Sequence, residues 1–129
     1  MDLKHITGYL PFGLKVNTIE NELISIDLKN NKLESLFRGH LINIYDFDDF
    51  KPILRPLSDL TKEIEVNGEK FVPIFELSNY TIQQTENGKS GLEWNIISTF
   101  PYRDIQKLYE WHFDIHELIE KGEAIDINK

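Results

Sequence analysis

One stretch constrains this chain more than any other: residues 101–122, PYRDIQKLYEWHFDIHELIEKG. Ile105, Leu108, Tyr109, Ile115, Leu118 and Ile119 recur at spacings of three and four. On a helix such positions share one face. Pro101 suits the first turn, where its missing N–H costs nothing. Asp104 sits where a negative charge meets the positive end of the helix dipole. Gly122 suits the stop, because glycine enters the left-handed conformation that closes a helix. The spacing therefore predicts a long C-terminal helix over 101–122.

Upstream of it, alternating patterns predict strands. Residues 6–18 read as extended, with Pro11 and Gly13 breaking any helical run. Residues 22–28 alternate apolar and polar, after a turn over 17–21. Asn30-Asn31 is a further turn signal, followed by a strand over 32–37 and an extension over 40–47. Pro52 and Pro56 mark an irregular connector, and Ser58 can cap a short helix over 59–64. Asn67-Gly68 is the clearest turn, since a type I′ hairpin needs positive φ at both central residues. Strands are then expected over 70–77, 80–85 and 92–100, with a turn near Gly88 and Gly91. The tail should dock Ile125 and Ile127. The expected architecture over residues 1–129 is a single α+β domain. An antiparallel sheet of about five strands is covered on one face by the long C-terminal helix.

Composition bounds the function. At 40% hydrophobic and 12% aromatic, 129 residues can bury a core without staples. There is no cysteine, so disulfides and thiolate chemistry are excluded. No run reaches the length of a membrane span, and MDLKHITGYLPFG lacks the pattern of a secretory signal, so a cytoplasmic location is expected. The net charge of −8 argues against nucleic acid as the main partner; its plainest role is to keep a small protein in solution, and it can also favour a basic protein partner.

Catalytic and cofactor patterns are weak. His112 and His116, four apart, could share a metal on a helix, but the HExxH order is absent and a packed and a rim histidine are the preferred reading. Asp46, Asp48 and Asp49 could hold a hard cation, yet the glycine and distal glutamate of a calcium loop are missing. Residues 8–13, GYLPFG, lack a phosphate-loop lysine, and no nucleophile elbow supports a hydrolase triad. Trp94, Trp111, Tyr102 and Tyr109 read as core or groove lining, since no basic residues interleave them. No cofactor, no metal and no enzymatic activity are expected.

Three segments together carry a resemblance: YLPFGLK at 9–15, KPILRPLSDL at 51–60, and WHFD at 111–114 followed by LIEKGEAIDIN at 118–128. They resemble a set of short uncharacterised proteins carried in Bacteroidetes genomes and their prophages. An aromatic often stands in that set where this chain has His116. The resemblance implies a mobile-element context, in which small acidic proteins often disable a host system. The resembled set carries no function of its own to transfer; from that context we expect an anti-CRISPR protein acting by direct contact, with the basic type VI-B RNA-guided ribonuclease as target. The partner-binding residues expected are Asp46, Phe47, Asp48, Asp49 and Phe50, with Glu110, Glu117 and Glu120 on the outer helix face. The competing reading is a phage structural or replication accessory protein; a small enzyme comes last.

Overall fold

The computed structural model describes residues 5–16, 18–27, 29, 32–37, 41–46, 51–87 and 94–128. Thr7–Phe12 forms a 3-10 helix where an extended run was expected. Pro11 fits inside it because the ring's fixed φ is already helical. Gly13, at φ 67°, ends it in the left-handed conformation. Lys15–Val16 (β1), Thr18–Asp27 (β2), Lys32–Phe37 (β3) and Leu41–Asp46 (β4) then form a four-stranded antiparallel sheet in sequential order. The strand over 32–37 agrees with the expectation. The Asn30-Asn31 turn lies outside the described residues, although Asp27 pairs with Lys32 across it.

After the prolines, Ile53–Leu54 (β5) pairs in parallel with Ile125–Asp126 (β8) near the C-terminus. Leu57–Thr61 is a 3-10 helix whose N-cap is Pro56, so Ser58 does not cap it. Ile64–Val66 (β6) and Glu69–Phe71 (β7) form the hairpin expected at Asn67-Gly68, with φ of 53° and 84° at the two turn residues. Pro73–Glu76 then makes a 3-10 turn in place of a continuing strand, because Pro73 cannot donate to a ladder.

Three corrections follow in the C-terminal half. Asn79–Asn87 is a helix (α1), not the strand expected over 80–85. Ser78 caps it: the Thr81 N–H donates to its Oγ at 3.4 Å, and its carbonyl accepts the first helical bond from Ile82. Trp94–Ile97 (α2) is also helical, inside the strand expected over 92–100. Ile97 and Phe100 are buried while Trp94 is exposed, a spacing of three and not of two.

The largest correction concerns the organising helix. It runs only over Tyr102–Glu110 (α3). The Phe113 N–H donates to the Leu108 carbonyl at 2.9 Å and the His112 N–H to that of Tyr109 at 3.0 Å. Those two bonds, with His112 at φ 61°, are a Schellman closure. The chain then leaves the helix axis to form a parallel bridge between Phe113 and Arg55. Neither a five-stranded sheet nor a long covering C-terminal helix is present among the described residues; the four-stranded sheet and two two-stranded pairs take their place.

Burial explains why the reversal wins over helix continuation. Phe113, Ile115 and Leu118 are fully buried, but in two different clusters. Leu118 joins Ile6, Tyr9, Leu14, Val16, Leu23, Leu54 and Ala124 beside the sheet. Phe113 and Ile115 join Leu60, Ile97, Phe100, Leu108 and Trp111. Tyr109 packs on both clusters. Each such side chain contributes about 1.5–3 kcal/mol on burial, several times the worth of one helical hydrogen bond. Asp114 stabilises the irregular segment, accepting from the Leu118 and Ile119 N–H groups at 2.8 and 2.9 Å.

Ile115→Asp should unfold the chain, losing more than about 3 kcal/mol through an unpaired buried charge. Gly8 offers a finer test, because a Cβ there would lie 2.5 Å from the Tyr109 ring. Gly8→Ala should cost about 1–3 kcal/mol in urea denaturation, and Tyr109→Leu in the same chain should recover part of it.

Candidate functional site

An open cleft of about 540 Å3 lies where the 3-10 helix, β1, β2, the β6–β7 turn and the end of α3 meet. Each wall has a local cause. His112 stands at the C′ position of α3, where glycine is usual, at φ 61°. A left-handed non-glycine residue costs about 1 kcal/mol or more. The compensation is a 2.7 Å hydrogen bond between His112 Nε2 and the Phe12 carbonyl, which makes Nε2 the protonated nitrogen. Arg55 enters from β5, its N–H donating to the His112 carbonyl at 2.7 Å and its carbonyl accepting from Asp114 at 2.8 Å. Its guanidinium lies 5.9 Å over the Phe113 ring, and Nε donates a long bond to the Trp111 carbonyl at 3.4 Å. Lys15 and Glu22 pair at 3.6 Å on the opposite wall.

Electrostatics follow from this packing. Burial pushes the Arg55 guanidinium below its ordinary pKa, and Asp59 partly opposes that. Burial also lowers His112, against the raising effect of the Phe12 carbonyl, so the imidazole is neutral at pH 7.

His116 lies elsewhere. It stacks on His5 with ring centroids 4.4 Å apart, touches Trp94 at 4.6 Å, and shares a 3.2 Å hydrogen bond with the Tyr109 hydroxyl. Burial, then the neighbouring His5 and Lys121, hold its pKa down to about 4. The two histidines leave the helix axis before their four-residue spacing could align them, and among the described residues no three metal-ligating side chains come together.

The expected contact residues are only partly among the described residues. Asp46 ends β4 opposite Lys32, while Phe47, Asp48, Asp49 and Phe50 lie outside the described residues. Glu110, Glu117 and Glu120 do not share an outer helix face, because the helix has ended before the latter two. Glu110 lines the cleft, Glu117 sits in a turn at φ 60°, and Glu120 is exposed.

The sequence reading also missed surface features. Phe75 is 76% exposed and Tyr102 74%, with Tyr80 and Trp94 less so. Trp94 and Tyr102 are thus surface residues, whereas Trp111 is buried. Phe75 and Tyr102 stand on anchored backbone. Asp104 on α3 accepts from the Ser78 N–H at 3.1 Å, the Ser78 hydroxyl at 2.6 Å and the Thr81 hydroxyl at 2.5 Å. Burial raises the Asp104 pKa, but these bonds outweigh it and hold the carboxyl below its ordinary range. Lys107 Nζ donates to the Glu76 carbonyl at 2.7 Å, one residue beyond Phe75. The only sequence signal was the placement of Phe75 directly after a buried Pro-Ile pair, which a strand reading assigned to the sheet.

Comparison with protein-family models, with curated proteins and with solved structures finds no match to this chain.

Two outcomes test the site's construction. His112→Ala should destabilise the fold more than His112→Gly, by about 1 kcal/mol, since glycine relieves the left-handed backbone that both variants leave without the Phe12 bond. The second is a pH profile. His116 has a folded pKa below its unfolded value of 6.5, so its contribution is complete above pH 6.5 and is lost as pH falls toward 4. His112 acts in the same sense; Asp114, raised chiefly by burial, acts in the opposite one. His116→Phe should therefore lose less stability than the parent chain between pH 7.5 and 4.5, read from urea midpoints.

Proposed function

We propose that this chain is a phage- or prophage-encoded acidic binding protein. In this reading it inhibits a host defence nuclease by direct contact, most concretely as an anti-CRISPR against a type VI-B RNA-guided ribonuclease. The observation that carries the binding reading is the pair Phe75 and Tyr102: large aromatics held on hydrogen-bonded, packed elements and turned to solvent. Rigid aromatics lose little conformational entropy on contact, which is why they anchor protein interfaces. The net charge of −8 supports a basic partner, because complementary charge speeds encounter. The resemblance of residues 9–15, 51–60, 111–114 and 118–128 to prophage-borne proteins supports a mobile-element context, in which a defence nuclease is a natural target. Asp46, Phe47, Asp48, Asp49, Phe50, Glu110, Glu117 and Glu120 remain proposed contacts, and Phe75 and Tyr102 join them.

The test is target-RNA cleavage by a purified type VI-B ribonuclease with increasing amounts of this chain. Cleavage should fall to background near stoichiometric addition. Association should slow as salt rises. The double variant Phe75→Ala/Tyr102→Ala should weaken inhibition at least tenfold while its thermal midpoint stays near that of the parent chain. Unchanged cleavage at excess inhibitor would exclude this nuclease. Capture of phage components from infected cells would favour the accessory reading.

A further inference from the structure

The cleft at the end of α3 contains an unusual imbalance. Arg55 is half-buried, yet among the described residues no carboxylate lies within ion-pair distance of its guanidinium, and only Nε is hydrogen-bonded. Buried charges are normally paired. Asp59, which acts on Arg55 through space, is already engaged by Asn128 at 2.9 Å and Lys62 at 3.7 Å. Glu65 and Glu110 line the same cleft, are exposed, and carry no ion pair or side-chain hydrogen bond among the described residues. Lys15 and Glu22 cancel each other, and the neutral His112 adds no charge. Among the described residues this leaves one half-buried guanidinium without an ion pair and two exposed carboxylates without ion pairs, all lining the cleft with Trp111.

We infer that this cleft binds a small zwitterion, with the ligand's carboxylate on Arg55 and its ammonium at Glu65 and Glu110; an amino acid or short peptide with free ends is the chemical class. The guanidinium presents paired N–H groups that match a carboxylate. A phosphate carrying two negative charges would meet the same Arg55 but would be repelled by Glu65 and Glu110. A simple cation would find the two glutamates but would also meet Arg55. The volume falls in the range of small-molecule sites. The inference does not depend on the nuclease reading, because Arg55 and Glu65 play no part in that reading; Glu110 alone is common to both.

The experiment is a nitrogen–proton NMR titration of the intact chain with a mixed-sequence tripeptide pool bearing free ends. The same pool N-acetylated, the same pool C-amidated, and inorganic phosphate are the other arms. The free pool should shift the Trp111 indole N–H and the Arg55 Nε–H saturably, and leave the Trp94 indole unmoved. Blocking either end should weaken binding at least tenfold, and phosphate should not compete. The exposed double variant Glu65→Gln/Glu110→Gln should lose affinity for the C-amidated pool, which keeps the ammonium, and keep its affinity for the N-acetylated pool. The inference is overturned if the free pool gives no saturable shift at millimolar concentration. It is equally overturned if blocked and free pools bind alike, or if phosphate displaces the peptide.

Discussion

The short parallel bridge between Arg55 and Phe113 is the constraint from which the rest of the structure follows. It asks the chain to stop being a helix at Trp111 and to travel as a strand partner two residues later. A Schellman closure satisfies the last α3 carbonyls, so the stop leaves few polar groups orphaned. The segment 52–55 then has partners on both edges, the chain after α3 on one and β8 on the other. Two bonds fasten β8 there: the Ile125 N–H to the Pro52 carbonyl at 2.8 Å, and the Ile127 N–H to that of Leu54 at 2.9 Å. The Tyr9 hydroxyl, fully buried, donates to the Phe113 carbonyl and ties the N-terminal 3-10 helix to the same point.

The reversal has a chemical consequence as well as a structural one. Placing His112 in a left-handed conformation aims its ring at Phe12 and closes one wall of the cleft. Holding Arg55 by its backbone places a guanidinium beside that wall with no ion pair among the described residues. A long helix would have placed Glu110, Glu117 and Glu120 in one row; the reversal separates them and moves Glu110 to the cleft edge.

Local chemistry was legible wherever a residue's own backbone preference decided the outcome. Asn67-Gly68 reads as a hairpin because few other pairs tolerate two positive φ values, and the hairpin is there. The strand over 32–37 was legible too, and the tail docks at Ile125 as expected, although the Ile127 side chain stays 40% exposed. Residues 79–87 were not. Their Tyr, Thr and Ile favour strands, and the helix is set instead by the Ser78 cap and by the Asp104 carboxylate, 26 positions away, that fixes Ser78. Residues 94–97 were misread because Trp94, Ile96, Ile97 and Phe100 satisfy both a period of two and a period near three. Only the choice of buried residues, Ile97 and Phe100, separates them.

By itself the sequence determined the Asn67-Gly68 turn, whereas residues 18–21 of the turn expected over 17–21 fall within β2. It also determined the acidic balance, the exclusion of thiol chemistry, and the apolar residues over 105–119 that must be buried. Tertiary structure decided where they are buried. Leu108 and Leu118 share a helical stripe on paper, yet they belong to different clusters, and the chain turns between them. Hydrophobic burial is non-directional and outweighs a few helical hydrogen bonds, so the chain bends to fill both clusters. The cleft, the placement of the Arg55 guanidinium in it and the left-handed histidine are products of that bend.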